Sequence, residues 1–159
     1  MSVRLSTGYL ARRNAGASFA SIFDGGCFEV RTGTQPTSAD LPVTGDLIGH
    51  ITRNGAVWTP GSPTAGLRFD ASGRQVMKRL TDAWRLIGSA TGIAGWARLV
   101  GPVADPGTSS LSLPRIDGAI DLIGALTDAQ FFLPTLGISA DFSIDINYWW
   151  LATPPLPGE

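Results

Sequence analysis

The sequence has little of what many folds and chemistries require. Its 159 residues include one cysteine, one histidine, one lysine (Lys78) and two glutamates (Glu29 and Glu159). A lone Cys27 makes no intrachain disulfide, so no covalent staple supports the fold and the core must hold by itself. A lone His50 leaves any histidine-based metal site or acid/base relay resting on a single residue. Eleven arginines and eleven aspartates stand where lysine and glutamate are scarce. That scarcity removes two strong helix formers and favours strands. Lys+Arg 12 against Asp+Glu 13 leaves a formal charge of -1, which predicts no polyanion partner. No window of about 18 uncharged apolar residues occurs, and the first residues lack the apolar stretch of a signal peptide. The expectation is a chain that neither spans a membrane nor uses the Sec route.

What is present is apolar material and turn residues. The apolar share is 43%, with Gly 20 and Pro 11, which is enough for a real core and too much for an intrinsically disordered chain. The length predicts one compact unit, a β-rich domain over residues 1–152. Residues 153–159, Thr-Pro-Pro-Leu-Pro-Gly-Glu, read as a Pro-rich C-terminal arm, because prolines lack the donor a sheet interior needs.

The one good helix candidate covers residues 5–23. Ser6 or Thr7 caps it, Tyr9, Leu10, Phe19, Ile22 and Phe23 supply apolar positions, and Gly16 splits it in two. Arg12 and Arg13 then lie on the face away from Tyr9. From Cys27 the period becomes two, and strands are predicted over 27–32, 46–52, 67–69, 95–100, 115–123, 130–133 and 141–151. Residues 75–80 and 83–90 read as two more strands. A helix over 74–87 competes with them, since Val76, Met77, Leu80, Trp84 and Ile87 also fit a 3.6 period. Residues 34–44 and 102–112 read as surface loops. The sum is an all-β chain, a β-sandwich or jelly-roll-like barrel of about eight or nine short strands after an N-terminal helical segment.

The strongest strand signal is 141–151. Alternation there turns Phe142, Ile144, Ile146, Tyr148 and Trp150 one way, and Asp141, Ser143, Asp145, Asn147 and Trp149 the other. If Tyr148 and Trp150 face the core, Trp149 points outward, to be covered by a loop, buried in a subunit contact or stacked on a sugar.

No catalytic set emerges. His50 reads as a structural strand residue and Cys27 as an inert thiol. Asp141 and Asp145 sit about 13 Å apart along one strand face, too far for a glycosidase pair, and read as solvated charges. Asp117 and Asp121 repeat that spacing and receive the same reading. No EF-hand spacing, P-loop or dinucleotide fingerprint occurs, and the basic residues form no stripe, so no cofactor, metal, nucleic acid or membrane is expected. An Arg-dominated, Trp-rich small domain suits an assembling protein. The candidate interface residues are Arg12, Arg13, Tyr148, Trp149, Trp150, Pro154 and Pro155.

A pattern of short segments also runs through the chain. It comprises Arg4-Leu5-Ser6-Thr7-Gly8, Ser18-Phe19 through Ile22-Phe23-Asp24-Gly25, Val30-Arg31-Thr32-Gly33-Thr34-Gln35-Pro36 with Ala39-Asp40, and Thr44-Gly45-Asp46-Leu47-Ile48 with Ile51-Thr52. Gly66-Leu67-Arg68-Phe69, Ala90-Thr91-Gly92, Ala94-Gly95-Trp96-Ala97-Arg98-Leu99 and Pro114-Arg115-Ile116-Asp117-Gly118 follow in the same order. Across most of residues 4–150 this resembles a family of small tailed-bacteriophage virion proteins. The resemblance implies a particle component assembled in the host bacterial cytoplasm, with no catalytic residues. Its expected partners are copies of itself and the major capsid or tail proteins. Such a component reads as a capsid decoration or head-tail accessory subunit; the alternative, raised by the aromatics themselves, is a tail-associated module binding host glycans on a platform of Trp149 with Trp58 or Trp96, while Gln35, Asp40 and Asn54 read hydroxyls. The chain departs from those relatives in residues 77–84, which are less Gly/Ala-rich, and in Trp149-Trp150 and the Pro-rich arm.

Overall fold

The period-two pattern from Cys27 onward builds most of the molecule, whose computed structural model describes residues 3–152. Twelve strands and two short helices are present among the described residues. In chain order they are β1 (Val3–Leu5), α1 (Thr7–Asn14), α2 (Phe19–Phe23), β2 (Cys27–Thr32), β3 (Leu47–Arg53), β4 (Phe69–Ser72), β5 (Gln75–Lys78) and β6 (Trp84–Gly88). They continue with β7 (Gly92–Val100), β8 (Arg115–Leu122), β9 (Phe131–Leu133), β10 (Gly137–Ile138), β11 (Ser143–Ile146) and β12 (Trp150–Ala152). The mostly-β class is as expected. The strand count is higher because Val3–Leu5 is strand, though only Leu5 of it lay in the predicted helical segment, β10 carried no signal, and the last predicted strand is two.

The helical segment divides at Gly16, whose φ of 96° no helix accommodates. Ser6 caps α1, its Oγ accepting from Tyr9 N, and Ser18 caps α2 in the same way through Ser21 N. Residues 75–78 and 84–88 are strands, which settles the helix alternative. The β4–β5 hairpin closes through Gly73-Arg74, where Gly73 (φ 59°) supplies the positive φ the two-residue turn requires.

Nine strands form a largely antiparallel sheet along the path β1-β8-β7-β2-β3-β6-β11, with β10 paired to β7 and β9 paired parallel to β8. The second sheet is β12-β5-β4. β1 and β11 are therefore the edges of the large sheet's path. A bulge in β3 opposite Val30 and Arg31 inserts Ile48 as an extra residue, which lets Ile48 and Ile51 both enter the core although they are three apart.

The core lies between the large sheet, the small sheet and the helices. Phe28, Val30, Ala97, Leu99 and Ile116 come from one face of the large sheet; Phe19 and Phe23 come from α2, and Phe69 and Val76 from the small sheet. Phe19 meets Phe69 edge-on at 5.0 Å, which ties α2 to β4.

The other face of the large sheet is also covered, and its contents were not foreseen. Arg98, Arg115 and Asp117 are fully buried. Arg98 grips Asp117 with both forks, Nε to Oδ1 at 2.7 Å and Nη2 to Oδ2 at 2.8 Å, and Arg115 grips Asp105 likewise at 2.6 Å twice. These arginines also donate to backbone carbonyls of the 34–44 segment: Arg98 to Leu41 O, Arg115 to Ala39 O, and Arg4 to Pro36 O. The expected surface loop is thus a clamped layer, with Gln35, Pro36 and Ala39 buried. The reading of Asp117 as a solvated charge is corrected: it pairs with Arg98 across β7 and β8. Burial raises its pKa, opposed by Arg98, Arg115 and Arg4.

Cys27 is on this covered face and wholly buried, and burial pushes its thiol far above the usual range. We expect no labelling of the native protein by a thiol-specific chromogenic reagent and one equivalent on denaturation. Rapid labelling of the native state would contradict this placement.

Candidate functional site: an aromatic groove

The last predicted strand changes sheets midway. Ile146 pairs with Trp84 in β6, whereas Trp150 pairs with Met77 in β5, so residues 147–149 carry the chain from the edge of one sheet to the edge of the other. Asn147 and Tyr148 are both exposed, and these two outward residues in succession shift the alternation by one. The orientation expected for this segment is therefore reversed from Tyr148 onward. Trp149 and Leu151 point into the core, while Tyr148 and Trp150 are 81% and 54% exposed.

Trp149 is the hub of the core rather than a surface ring. It lies 5.5 Å from both Phe28 and Phe69, 6.0 Å from Trp84, and within 6.5 Å of Phe19 and Phe131. Its carbonyl accepts from Lys78 N at 3.0 Å, which seats it against β5.

The same crossover opens a groove of about 1020 Å³. Val3 and Leu5 of β1, Phe131–Leu133 of β9 and Ile144–Ile146 of β11 line it together with residues 147–152. Both edges of the large sheet thus face one cleft. A second cleft of about 260 Å³ lies between Gln75, Met77, Lys78 and Leu80 on one side and residues 147–150 on the other. Tyr148 and Trp150 form the ridge shared by the two. Phe132 at 41% and Ile123 at 66% exposure extend the apolar surface along the larger groove. The Trp149 indole N–H and the Gln130 carboxamide, both on residues that line it, are buried without a partner.

The expected interface residues separate accordingly. Tyr148 and Trp150 are together and accessible. Trp149 is withdrawn into the core, which corrects its assignment to an interface. Arg12 is exposed on α1 and lines a small crevice with Pro102, Val103 and Asp105, sharing no groove with Tyr148 or Trp150; Arg13 beside it is half-buried. Pro154 and Pro155 lie outside the described residues. Phe132 escaped sequence reading, although the adjacent Phe131-Phe132 in a strand implies one ring in and one out.

The carboxylates are largely committed to structure. Asp82 binds Arg68 and Asp70 binds Arg79; Asp145 binds Arg85, and Asp40 accepts from both Thr7 N and Thr7 Oγ1. Arg68 holds the Asp82 carboxyl below its ordinary range. Among the described residues no group of three or more His, Cys, Asp or Glu is arranged to hold a metal ion, and no helix is long and apolar enough to cross a membrane. The residues considered for glycan recognition do not converge: Trp96 and Trp149 are buried, Gln35 is buried, and the Trp58 indole N–H donates to Gly25 O.

His50 stands directly across from Glu29 on the β2–β3 pair. Burial lowers its pKa below the ordinary 6.5, opposed by Glu29 and reinforced by Arg31. The unfolded chain therefore takes up this proton first as pH falls. Stability is expected to decline as pH drops below about 6.5 and to level off beneath the folded-state value. His50→Gln should remove that component from urea midpoints measured between pH 7.5 and 5, and an unchanged profile would contradict it.

Comparison with known proteins returned no family model, no curated protein and no solved structure that matches this chain.

Proposed function

We propose that this chain is a non-enzymatic structural component of a tailed-phage virion, a capsid decoration or head-tail accessory subunit that stabilises the particle through protein–protein contacts. The observation that carries this reading is the exposed aromatic ridge, Tyr148 and Trp150, standing over a groove that continues to Phe132 and Ile123. Contiguous apolar surface of this kind marks an interaction site, and Trp and Tyr are the rings that dominate such contacts. The resemblance of residues 4–150 to small virion proteins supplies the class of partner.

The rest of the molecule suits a mechanical role. Its core aromatics interlock, its outer face is clamped by buried arginines, and Glu29, Asp70, Asp82, Asp105, Asp117 and Asp145 are held as arginine partners. Neighbouring subunits would bury on the order of 1,000 Å² or more per contact through the ridge.

The test is add-back. Purified chain mixed with particles that lack it is expected to bind saturably. The double variant Tyr148→Ala/Trp150→Ala should bind at least tenfold more weakly while unfolding within about 1 kcal/mol of the parent, since both rings are largely exposed. Absence of binding by the parent chain would overturn the reading.

A further inference from the structure

We propose that the larger groove is a receptor for an extended proline-rich segment, and that its occupant is residues 153–159 of a neighbouring copy of this chain. This rests on the assembling role above and names the contact that would join the copies.

The walls set the chemistry. Phe132, Tyr148 and Trp150 expose ring surface along the groove, and flat aromatic surface is what proline rings of a polyproline II helix pack against. The two sheet edges in the groove offer a second mode, addition of a strand, but that mode needs an N–H at alternate positions of the incoming chain. Thr-Pro-Pro-Leu-Pro-Gly-Glu lacks the donor at three of its seven positions, so strand addition is poorly served and ring packing is well served. Three residues per turn bring Pro154 and Pro157 onto one ridge of a polyproline II helix, about 9 Å apart. Two such rings can straddle an aromatic side chain of the wall.

The direction of the chain selects the neighbour's groove over its own. Residues 148–152 already form one wall, and Ala152 is the last of them. Thr153 and Pro154 each precede a proline, which disfavours the helical region for both, and the prolines fix their own φ. A polyproline II helix of this sequence would advance about 3.1 Å per residue. Re-entry into the groove just passed requires a reversal that Pro154-Pro155 resists, whereas a groove on an adjacent copy requires none.

The experiment compares the full chain with a truncated chain lacking residues 153–159. Sedimentation is expected to show concentration-dependent association of the full chain, lost on truncation and lost in Trp150→Ala. The synthetic peptide Thr-Pro-Pro-Leu-Pro-Gly-Glu should bind the truncated chain saturably, read by Trp fluorescence. Replacing Pro154 and Pro157 with alanine in the peptide, or Trp150 with alanine in the protein, should weaken binding at least tenfold. The proposal is overturned if the peptide does not bind, or if truncation leaves association unchanged. It is likewise overturned if the full chain stays monomeric while only the truncated chain binds peptide, since the segment would then occupy its own groove. Particle binding is scored separately: a truncated chain that still binds particles but takes no peptide sinks this inference alone, and a chain that exchanges segments yet never binds particles sinks the virion reading alone.

Discussion

Trp149→Ala is expected to destabilise the protein by about 3–5 kcal/mol, the range for removing a fully packed large aromatic. Five neighbouring rings surround this indole, from α2, β2, β4, β6 and β9, so its loss leaves a cavity shared by every layer of the core. Collapse around the void is opposed from several sides at once, which places the cost toward the upper end. For a domain of this size the thermal midpoint should fall by on the order of 10 °C. Trp149→Phe should lose much less, because the indole N–H has no partner to forfeit and most of the ring contact survives. The neighbouring Trp150→Ala should leave the midpoint nearly unchanged. Chemical denaturation of the three variants checks the ordering; equal losses at 149 and 150 would contradict the reversed alternation.

Asp117→Ala is expected to cost about 3–5 kcal/mol by a different mechanism. Arg98 and Asp117 are both inaccessible to solvent, and removing one partner strands the other's charge in a dry environment. Arg98 also holds Leu41 O, so the clamp on the 34–44 segment should loosen with it. Replacing both partners together, Arg98→Met with Asp117→Leu, should recover much of the loss, since a buried pair is seldom worth more than well-packed apolar residues of similar volume. Urea unfolding would report the totals and hydrogen exchange the loop. Protection of the backbone around Ala39 and Leu41 should drop in Asp117→Ala well before global unfolding; an intact loop would show that the clamp does not depend on this pair.

The class of fold was legible because its signal is local. The alternation in 27–32, the Ser6 cap and the break at Gly16 each follow from a few adjacent residues. The reversal at Asn147-Tyr148 was not legible, because strict alternation assumes one strand on one sheet, and nothing in the residue types marks where a chain leaves a sheet edge. The buried ion pairs were missed for a related reason. Arg98 and Asp117 are nineteen positions apart and become neighbours only through the β7–β8 register, while each by itself looks like an ordinary outward-facing charge. Of the candidate site, Tyr148 and Trp150 were chosen for their size and were found exposed. Phe132 and the groove itself depend on β9 and β1 meeting the end of the chain, a coincidence of tertiary structure.

The most direct test of the account is a cryo-EM reconstruction of the phage particle to which the proposed function would assign this chain. The expected result is density for the chain at symmetry-related positions on the particle, with Tyr148, Trp150 and Phe132 buried against a neighbouring subunit. A particle that does not contain the chain, or one that contains it with those three rings facing solvent, would contradict the claim that the aromatic groove is an assembly surface.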